Sequence, residues 1–276
     1  MRETWRLLDL AFGDGRWNMA VDEAILSAVA SALAPPTLRI YGWARPCVSV
    51  GCTQAVADLD LATCERQGLP VLRRASGGTA VLHADTLAYS LVLPAGHWLA
   101  VPDIVESYRL MGPPVLLALR RLGVEARLVE PDRAHGGGRA TGFGSSACFA
   151  RLAPYEVVYD GKKLVGNSQL RRRGGVLHHA LLHLDFEPGR LARLLATATG
   201  DERARLTAYL AARVGSLAEA AGRTITPEAA ASALAAGFSE GLEVSLETGG
   251  LTSEETAEAG RLVAEKFGNP AWTHRR

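Results

Sequence analysis

The sequence has 276 residues, 48% of them apolar and 21% charged, which is ample for a hydrophobic core and ordinary for a soluble globular chain. Thirty basic residues balance 29 acidic ones, so net charge gives no reason to expect a nucleic-acid or membrane partner, although Arg171-Arg172-Arg173 is a local basic cluster. The start has no signal-peptide pattern and no uncharged apolar run approaches bilayer-spanning length, so the expected location is the cytoplasm.

Strand-like and helical patterns alternate without a repeat or a clean linker. Trp5 to Phe12 reads as a strand, and Trp17 to Leu33 as a helix stopped by Pro35-Pro36. Thr37 to Tyr41 and Cys47 to Gly51 read as short strands, and Asp58 to Gln67 as a helix closed by Gly68. Strands are expected from Pro70 to Arg73, Thr79 to His83 and Thr86 to Leu93. Pro102 to Leu122 is a long helix that Pro113-Pro114 should kink or split. A strand from Val124 to Val129 precedes a Gly-rich, charged stretch, Glu130 to Gly144, expected to be a mobile loop.

Asp160-Gly161 between Pro154–Tyr159 and Lys162–Gln169 is a two-residue hairpin signal. Arg171 to Gly175 is a further turn, and Val176 to Phe186 a strand. From Pro188 the chain is Ala-rich and helical, apart from a strand at Leu242 to Leu246. The expected fold class is α+β: a mixed β-sheet core flanked by helices, with a helical C-terminal part. One domain over residues 1–276 is expected, with a core near 34–220 and a mainly helical extension over 221–276.

Three segments could carry chemistry. In Arg73-Arg74-Ala75-Ser76-Gly77-Gly78, paired glycines let backbone N–H groups approach an anion or a carbonyl oxygen, and Arg74 can add a fork of donors. The same residues also suit a plain hairpin turn with two solvated arginines. In Gly144-Ser145-Ser146-Ala147-Cys148-Phe149, a thiol among small residues can be reached by a bulky thioester, or is simply a small buried hydrophobe. In a two-residue hairpin Lys163 pairs across from Val158, and Lys162 and Lys163 face opposite sides. An inward lysine there needs an anion or a function; the alternative is two exposed turn lysines.

The remaining cysteines, Cys47, Cys52 and Cys64, form no Cys-x-x-Cys pair and read as buried reduced thiols. His178 and His179 face opposite sides of one strand, with His183 on the face of His179. No third ligand stands at a recognisable spacing, so no metal is expected.

Taken together, the segments resemble the lipoate–protein ligase and octanoyltransferase family, related to the biotin–protein ligase catalytic domain. The resemblance rests on Arg-Arg-x-Ser-Gly-Gly-x-Ala-Val-x-His from Arg73 to His83, then Ala-Cys-Phe before Tyr-Glu. It continues through Gly-Lys-Lys-Leu-Val-Gly-x-Ser-Gln from Gly161 and His179 before Leu-Leu, and reaches Glu265-Lys-Phe-Gly-Asn-Pro-Ala-Trp272. It implies an acyl pocket between sheets. The cysteine at 148 is similar to the nucleophile of the cysteine-dependent octanoyl branch, in which a lysine matching Lys163 lowers its pKa.

The resemblance further implies Arg74, Ser76, Gly77, Gly78, Gly166 and Ser168 around the acyl carbonyl, with His83 and His179 in substrate binding. It implies octanoyl-acyl carrier protein as donor and a lipoyl-domain protein, the glycine-cleavage H protein, as acceptor. No cofactor is expected, and a monomer is the default expectation. Thr79 stands where ATP-using lipoate ligases carry a third glycine. Two alternatives remain: an ATP-dependent lipoate–protein ligase without its accessory domain, and a non-catalytic acyl-binding relative.

Overall fold

The computed structural model describes residues 2–133, 152–172 and 174–275. Cys148 therefore lies outside the described residues, as does most of the Gly-rich stretch before it.

The chain opens with strand β1 (Thr4–Gly13), and Asp14 then caps helix α1 (Gly15–Ala30) by accepting from the Arg16 amide. Strands β2 (Thr37–Trp43) and β3 (Cys47–Val50) lead to α2 (Leu61–Arg66), then β4 (Val71–Arg73), β5 (Val81–His83) and β6 (Thr86–Pro94). Helix α3 runs unbroken over Ile104–Arg121, capped by Asp103. The chain does not split at Pro113-Pro114, and Gly237 and Gly241 of a later helix approach so closely that they leave no room beside Pro114. Strand β7 is only Arg127–Leu128, shorter than the expected Val124–Val129.

After β8 (Val157–Tyr159), β9 (Lys162–Arg172) and β10 (Gly175–His183) come α4 (Pro188–Leu194), α5 (Gly200–Ala211), α6 (Leu217–Ala221) and α7 (Pro227–Gly241). Strand β11 (Ser245–Thr248) starts later than the expected Leu242, because Leu242 closes α7 and Glu243 turns the chain with φ +54°. Helix α8 (Ser253–Leu262) begins with a capping box between Thr252 and Glu255, and a π-type turn over Val263–Phe267 leads to α9 (Pro270–Thr273).

Among the described residues the strands form two sheets. The larger has the order β11-β1-β2-β6-β10-β9-β8-β7, and the smaller β4-β3-β5. In the larger sheet β1 pairs in parallel with β2 and β11, and the other neighbours are antiparallel. This is the mixed sheet with flanking helices that the sequence pattern implies.

Strand alternation sorts the two faces of the large sheet. Leu38 and Ile40 of β2, Leu87, Tyr89, Leu91 and Leu93 of β6, and Ala180 and Leu182 of β10 pack with α3 and α7 in the main core. On the opposite face, Val92 and Leu177 meet α1 and α8. A third cluster joins the small sheet to α2, α4 and α5. The space between the two sheets, on the α1 side, is only partly filled.

No helix among the described residues is long and apolar enough to cross a membrane.

Candidate active site

The unfilled space is a cleft that opens to solvent. Its walls come from α1, from β2, β6, β9 and β10 of the large sheet, and from β3, β5 and the loop before β5. Arg74, Ser76, Gly77, Gly78, His83, Lys163, Gly166, Ser168 and His179 all line it, so residues spread over a hundred positions meet in one place. Met19, Tyr41, Trp43, Val81, Ala88, Leu177 and Leu181 give much of the wall an apolar surface suited to a hydrocarbon chain.

Lys163 reaches the cleft through a local irregularity. Asp160 and Gly161 turn with φ of +46° and +75°, and Tyr159 pairs with Lys162, Val158 with Lys163, as the hairpin signal predicts. Between Val157 and Val158 β8 takes one step, while β9 takes two from Val165 to Lys163. Leu164 is the extra residue of a β-bulge. Leu164 and Val165 therefore both face the main core, and Lys163 is left on the cleft side. Lys162 points the other way and pairs with Glu219 at 2.5 Å.

The buried ammonium of Lys163 has its counter-charge. Glu156 Oε1 lies 2.5 Å from Lys163 Nζ, and both side chains are 5% exposed. Glu156 Oε2 also accepts from the Ala153 amide at 2.8 Å, which fixes the carboxylate. A buried cation this close to an anion is the arrangement that burial demands. The sequence reading names Lys163 but not Glu156. Alternation supplies the missing signal, since Glu156 shares a strand face with Val158 and hence with Lys163.

The loop between β4 and β5 is built from within by its arginines. Arg74 donates to the carbonyls of Gly77 at 2.8 Å and Thr79 at 2.8 Å, and to Ser49 Oγ at 3.1 Å. It is neither a solvated turn residue nor aimed only outward: it curls the loop around its own guanidinium. Arg73 is fully buried and donates to the carbonyls of Gly51 and Gln54, both at 2.7 Å. Gly78 has φ +89°, and its carbonyl lies where a Cβ on Gly51 would stand, 1.8 Å away. Backbone meets backbone here because both positions are glycine.

The far end of the cleft rests on a buried polar network that the sequence reading does not find. Asp22 Oδ1 takes Arg39 Nη1 at 2.6 Å, and Asp22 Oδ2 accepts from Tyr41 at 2.9 Å and Ser90 at 2.7 Å. Burial alone pushes the Asp22 carboxyl up, but the Arg39 charge, followed by His179 and Ser90, outweighs it and holds the pKa below the usual 3.8. His179 Nδ1 stands 3.9 Å from the same carboxylate, and its Nε2 bonds Ser76 Oγ at 2.6 Å. Ser168 Oγ adds a 3.3 Å bond to the Gly77 carbonyl. The glycine loop is thus moored to β9 and β10 from below.

His83 is part of the wall. Its Nε2 lies 2.8 Å from Ser49 Oγ and its ring stacks on Trp43 with centroids 3.8 Å apart. Burial, and after it the Arg74 charge, holds its pKa well below 6.5, so the ring is neutral. His178 and His179 do face opposite sides: His178 meets Tyr108 of α3 with its Nδ1 3.3 Å from Gln169 Nε2. Cys47 and Cys64 are buried free thiols, and burial pushes Cys47 up to about 12. Cys52 is only half-buried, a departure from expectation, because it follows β3 at the outer edge of the glycine loop.

With this geometry in hand, sequence relationships place the chain. The lipoyl protein ligase A/B catalytic domain profile matches residues 14–239. The chain belongs to that family. Within it, similarity runs the full length to proteins called octanoyltransferase LipM. That of Kyrpidia tusciae is 38% identical over 275 residues, 99% of this chain and 100% of the relative. That of Symbiobacterium thermophilum is 38% identical over 282 residues, covering both chains completely. That of Geobacillus kaustophilus is 33% identical over 276 residues, 100% of this chain and 99% of the relative.

The family fold is seen in solved structures as well. A bipartite archaeal lipoate protein ligase from Thermoplasma acidophilum superposes with a TM-score of 0.80 at 25% identity, covering 99% of this chain and 97% of that one. A lipoate-protein ligase A bound with ATP gives 0.77 at 24% identity, 99% of each chain, and shares the fold. The full-length octanoyltransferase relatives support acyl transfer, specifically octanoyl transfer in lipoate biosynthesis, as this family member's activity.

Proposed function

We propose that the protein moves an octanoyl group from acyl carrier protein, through a thioester on Cys148, to the lipoyl-lysine of an acceptor protein. The observation that carries this reading is Lys163: a bulge turns its ammonium into an apolar-walled cleft, opposite a loop of backbone glycines. A fixed cation favours the thiolate, the reactive form of a cysteine, and a point charge on a flexible stem suits that role.

Octanoyl on a carrier protein is already a thioester. Attack by the Cys148 thiolate on its carbonyl carbon forms one C–S bond and breaks another, and the departing carrier thiolate takes up a proton. The exchange is nearly isoenergetic and needs no ATP. The acceptor lysine, as the free amine, then attacks the same carbon; a C–N bond forms, the Cys148 C–S bond breaks, and the amine gives up a proton. Amide formation makes this step downhill. The scheme is ping-pong.

In this reading Gly77, Gly78, Gly166 and Ser168 surround the acyl carbonyl, with Arg74 and Ser76 shaping the loop. His83 and His179 stand in the wall against the chain. A soluble lipoyl-domain protein such as the glycine-cleavage H protein is the acceptor, and the reaction takes place in the cytoplasm on a monomeric enzyme.

Intact-protein mass spectrometry after mixing with octanoyl carrier protein, without ATP, tests the scheme. A gain of one octanoyl group, removed by hydroxylamine and absent from Cys148→Ala, is expected. Acceptor modification that appears only with ATP and free octanoate or lipoate would overturn it in favour of an ATP-dependent ligase, a reading favoured by the near-complete superposition on the archaeal ligase.

A further inference from the structure

The C-terminal segment, from Val263 to Arg275, closes on the glycine loop from outside the cleft. Trp272 Nε1 donates to the Arg73 carbonyl at 2.8 Å, and Arg73 Nε donates back to the Thr273 carbonyl at 2.9 Å. The two residues are 199 apart in sequence, yet Arg73 is the fully buried residue at the root of the loop. Arg275 stacks on the Trp272 ring at 3.8 Å and donates to the Cys52 carbonyl at 2.8 Å. The Cys52 amide in turn donates to the Ser76 carbonyl at 2.9 Å.

A second anchor comes from Lys266. Its ammonium lies over the Trp272 ring at 4.3 Å and pairs with Glu23, a buried carboxylate that lines the cleft. The segment thus holds the loop at its Arg73 root and, through Cys52, at Ser76, and grips the cleft wall beside it. Val263, Phe267 and Trp272 also pack in the apolar cluster that includes α1 and α8, but the contacts to Arg73, Cys52 and Glu23 are directed hydrogen bonds and an ion pair.

We propose that this segment is a clasp that sets the position of the glycine loop, with Trp272 and Arg73 as its positioning residues. The loop carries the backbone groups that meet the acyl carbonyl, so its placement before substrate arrives governs the rate of acyl transfer. This rests on the reading of the cleft as the acyl site.

The test is Trp272→Phe in the full chain, which keeps an aromatic ring but removes the N–H together with one ring of the indole, alongside a chain ending at Asn269. Hydrogen exchange reports the clasp itself. The Cys52 amide, bonded to Ser76, and the Arg74 amide, bonded to the Val50 carbonyl at 3.1 Å, should exchange at least fivefold faster in Trp272→Phe, with β10 amides unchanged. The single-turnover rate of octanoyl transfer to the enzyme should fall about tenfold, with the donor KM moved less than threefold. The shortened chain should show both effects more strongly.

Unchanged exchange at Cys52 and Arg74 in both variants would overturn the clasp. So would uniformly faster exchange through β10, which marks general destabilisation. A wild-type chain that accepts no octanoyl overturns the acyl reading instead, and the exchange result still decides the clasp.

Discussion

Lys163 Nζ and Glu156 Oε1 lie 2.5 Å apart with each side chain 5% exposed. A pair this deep cannot be halved cheaply. Removing one partner of a buried pair costs about 3–5 kcal/mol, whereas replacing both with apolar groups is often neutral. Glu156→Ala should therefore lose about that much in urea unfolding, and the double variant Glu156→Leu, Lys163→Met should recover most of it. A double variant as unstable as the single one would show that shape, not charge, holds the site together.

The same lysine is expected to be irreplaceable in the chemistry. Losing one electrostatic stabiliser of an active site costs about 10²–10³ in rate, and Lys163→Ala should slow formation of the acyl-enzyme by that factor. Lys163→Arg should restore little of it, because a planar guanidinium does not fit the place of a compact ammonium. Single-turnover acylation followed by mass spectrometry measures both.

Two buried histidines predict a pH dependence of stability. Burial pushes His178 down to about 3, with His179 adding to it, and burial pushes His183 down to about 3. Both are neutral in the fold and bind a proton on unfolding at any pH between that value and the ordinary 6.5. Stability is accordingly full above 6.5 and falls as pH drops toward 3, by about 1.4 kcal/mol per pH unit for each ring. His178→Leu should flatten the slope of unfolding free energy between pH 5.5 and 4 by about that amount. An unchanged slope would refute the assignment.

Gly51 tests the backbone contact under the loop. A Cβ there would stand 1.8 Å from the Gly78 carbonyl oxygen, and neither partner is a flexible side-chain end. Gly51→Ala should displace the loop and reduce kcat/KM for acylation at least tenfold. Gly161→Ala is strained only through its φ of +75°, with open space around it, and should cost about 1 kcal/mol of stability without a comparable loss of activity.

Much of this was legible in the sequence because it was local. The Asp160-Gly161 turn fixed the register of its hairpin, and the register set Lys162 and Lys163 on opposite sides. The bulge was not legible, because nothing in Lys-Leu-Val marks Leu164 as the extra residue until Val157 and Val165 are seen to pair. Arg39 alternates with Leu38 and Ile40, and its burial is set by α1, which brings Asp22 and Asn18 over that face. Arg73 and Trp272 meet only through the complete fold. The sequence reading of Cys148 concerns a residue outside those described.

The bulge at Leu164 is also a parity switch. Counting along β9, Lys163 and Val165 would share a face in a regular strand, and the ammonium would enter the hydrocarbon between the sheet and α3. One unpaired residue reverses that. The two arms of the hairpin are therefore unequal toward changes in length. Losing Leu164 from β9 leaves Lys163 on its present side, whereas gaining one residue between Val157 and Val158 restores regular pairing and exchanges the faces. An insertion tolerated on that arm in a related chain should come with a compensating change nearby, so the length of one short strand is itself a chemical constraint.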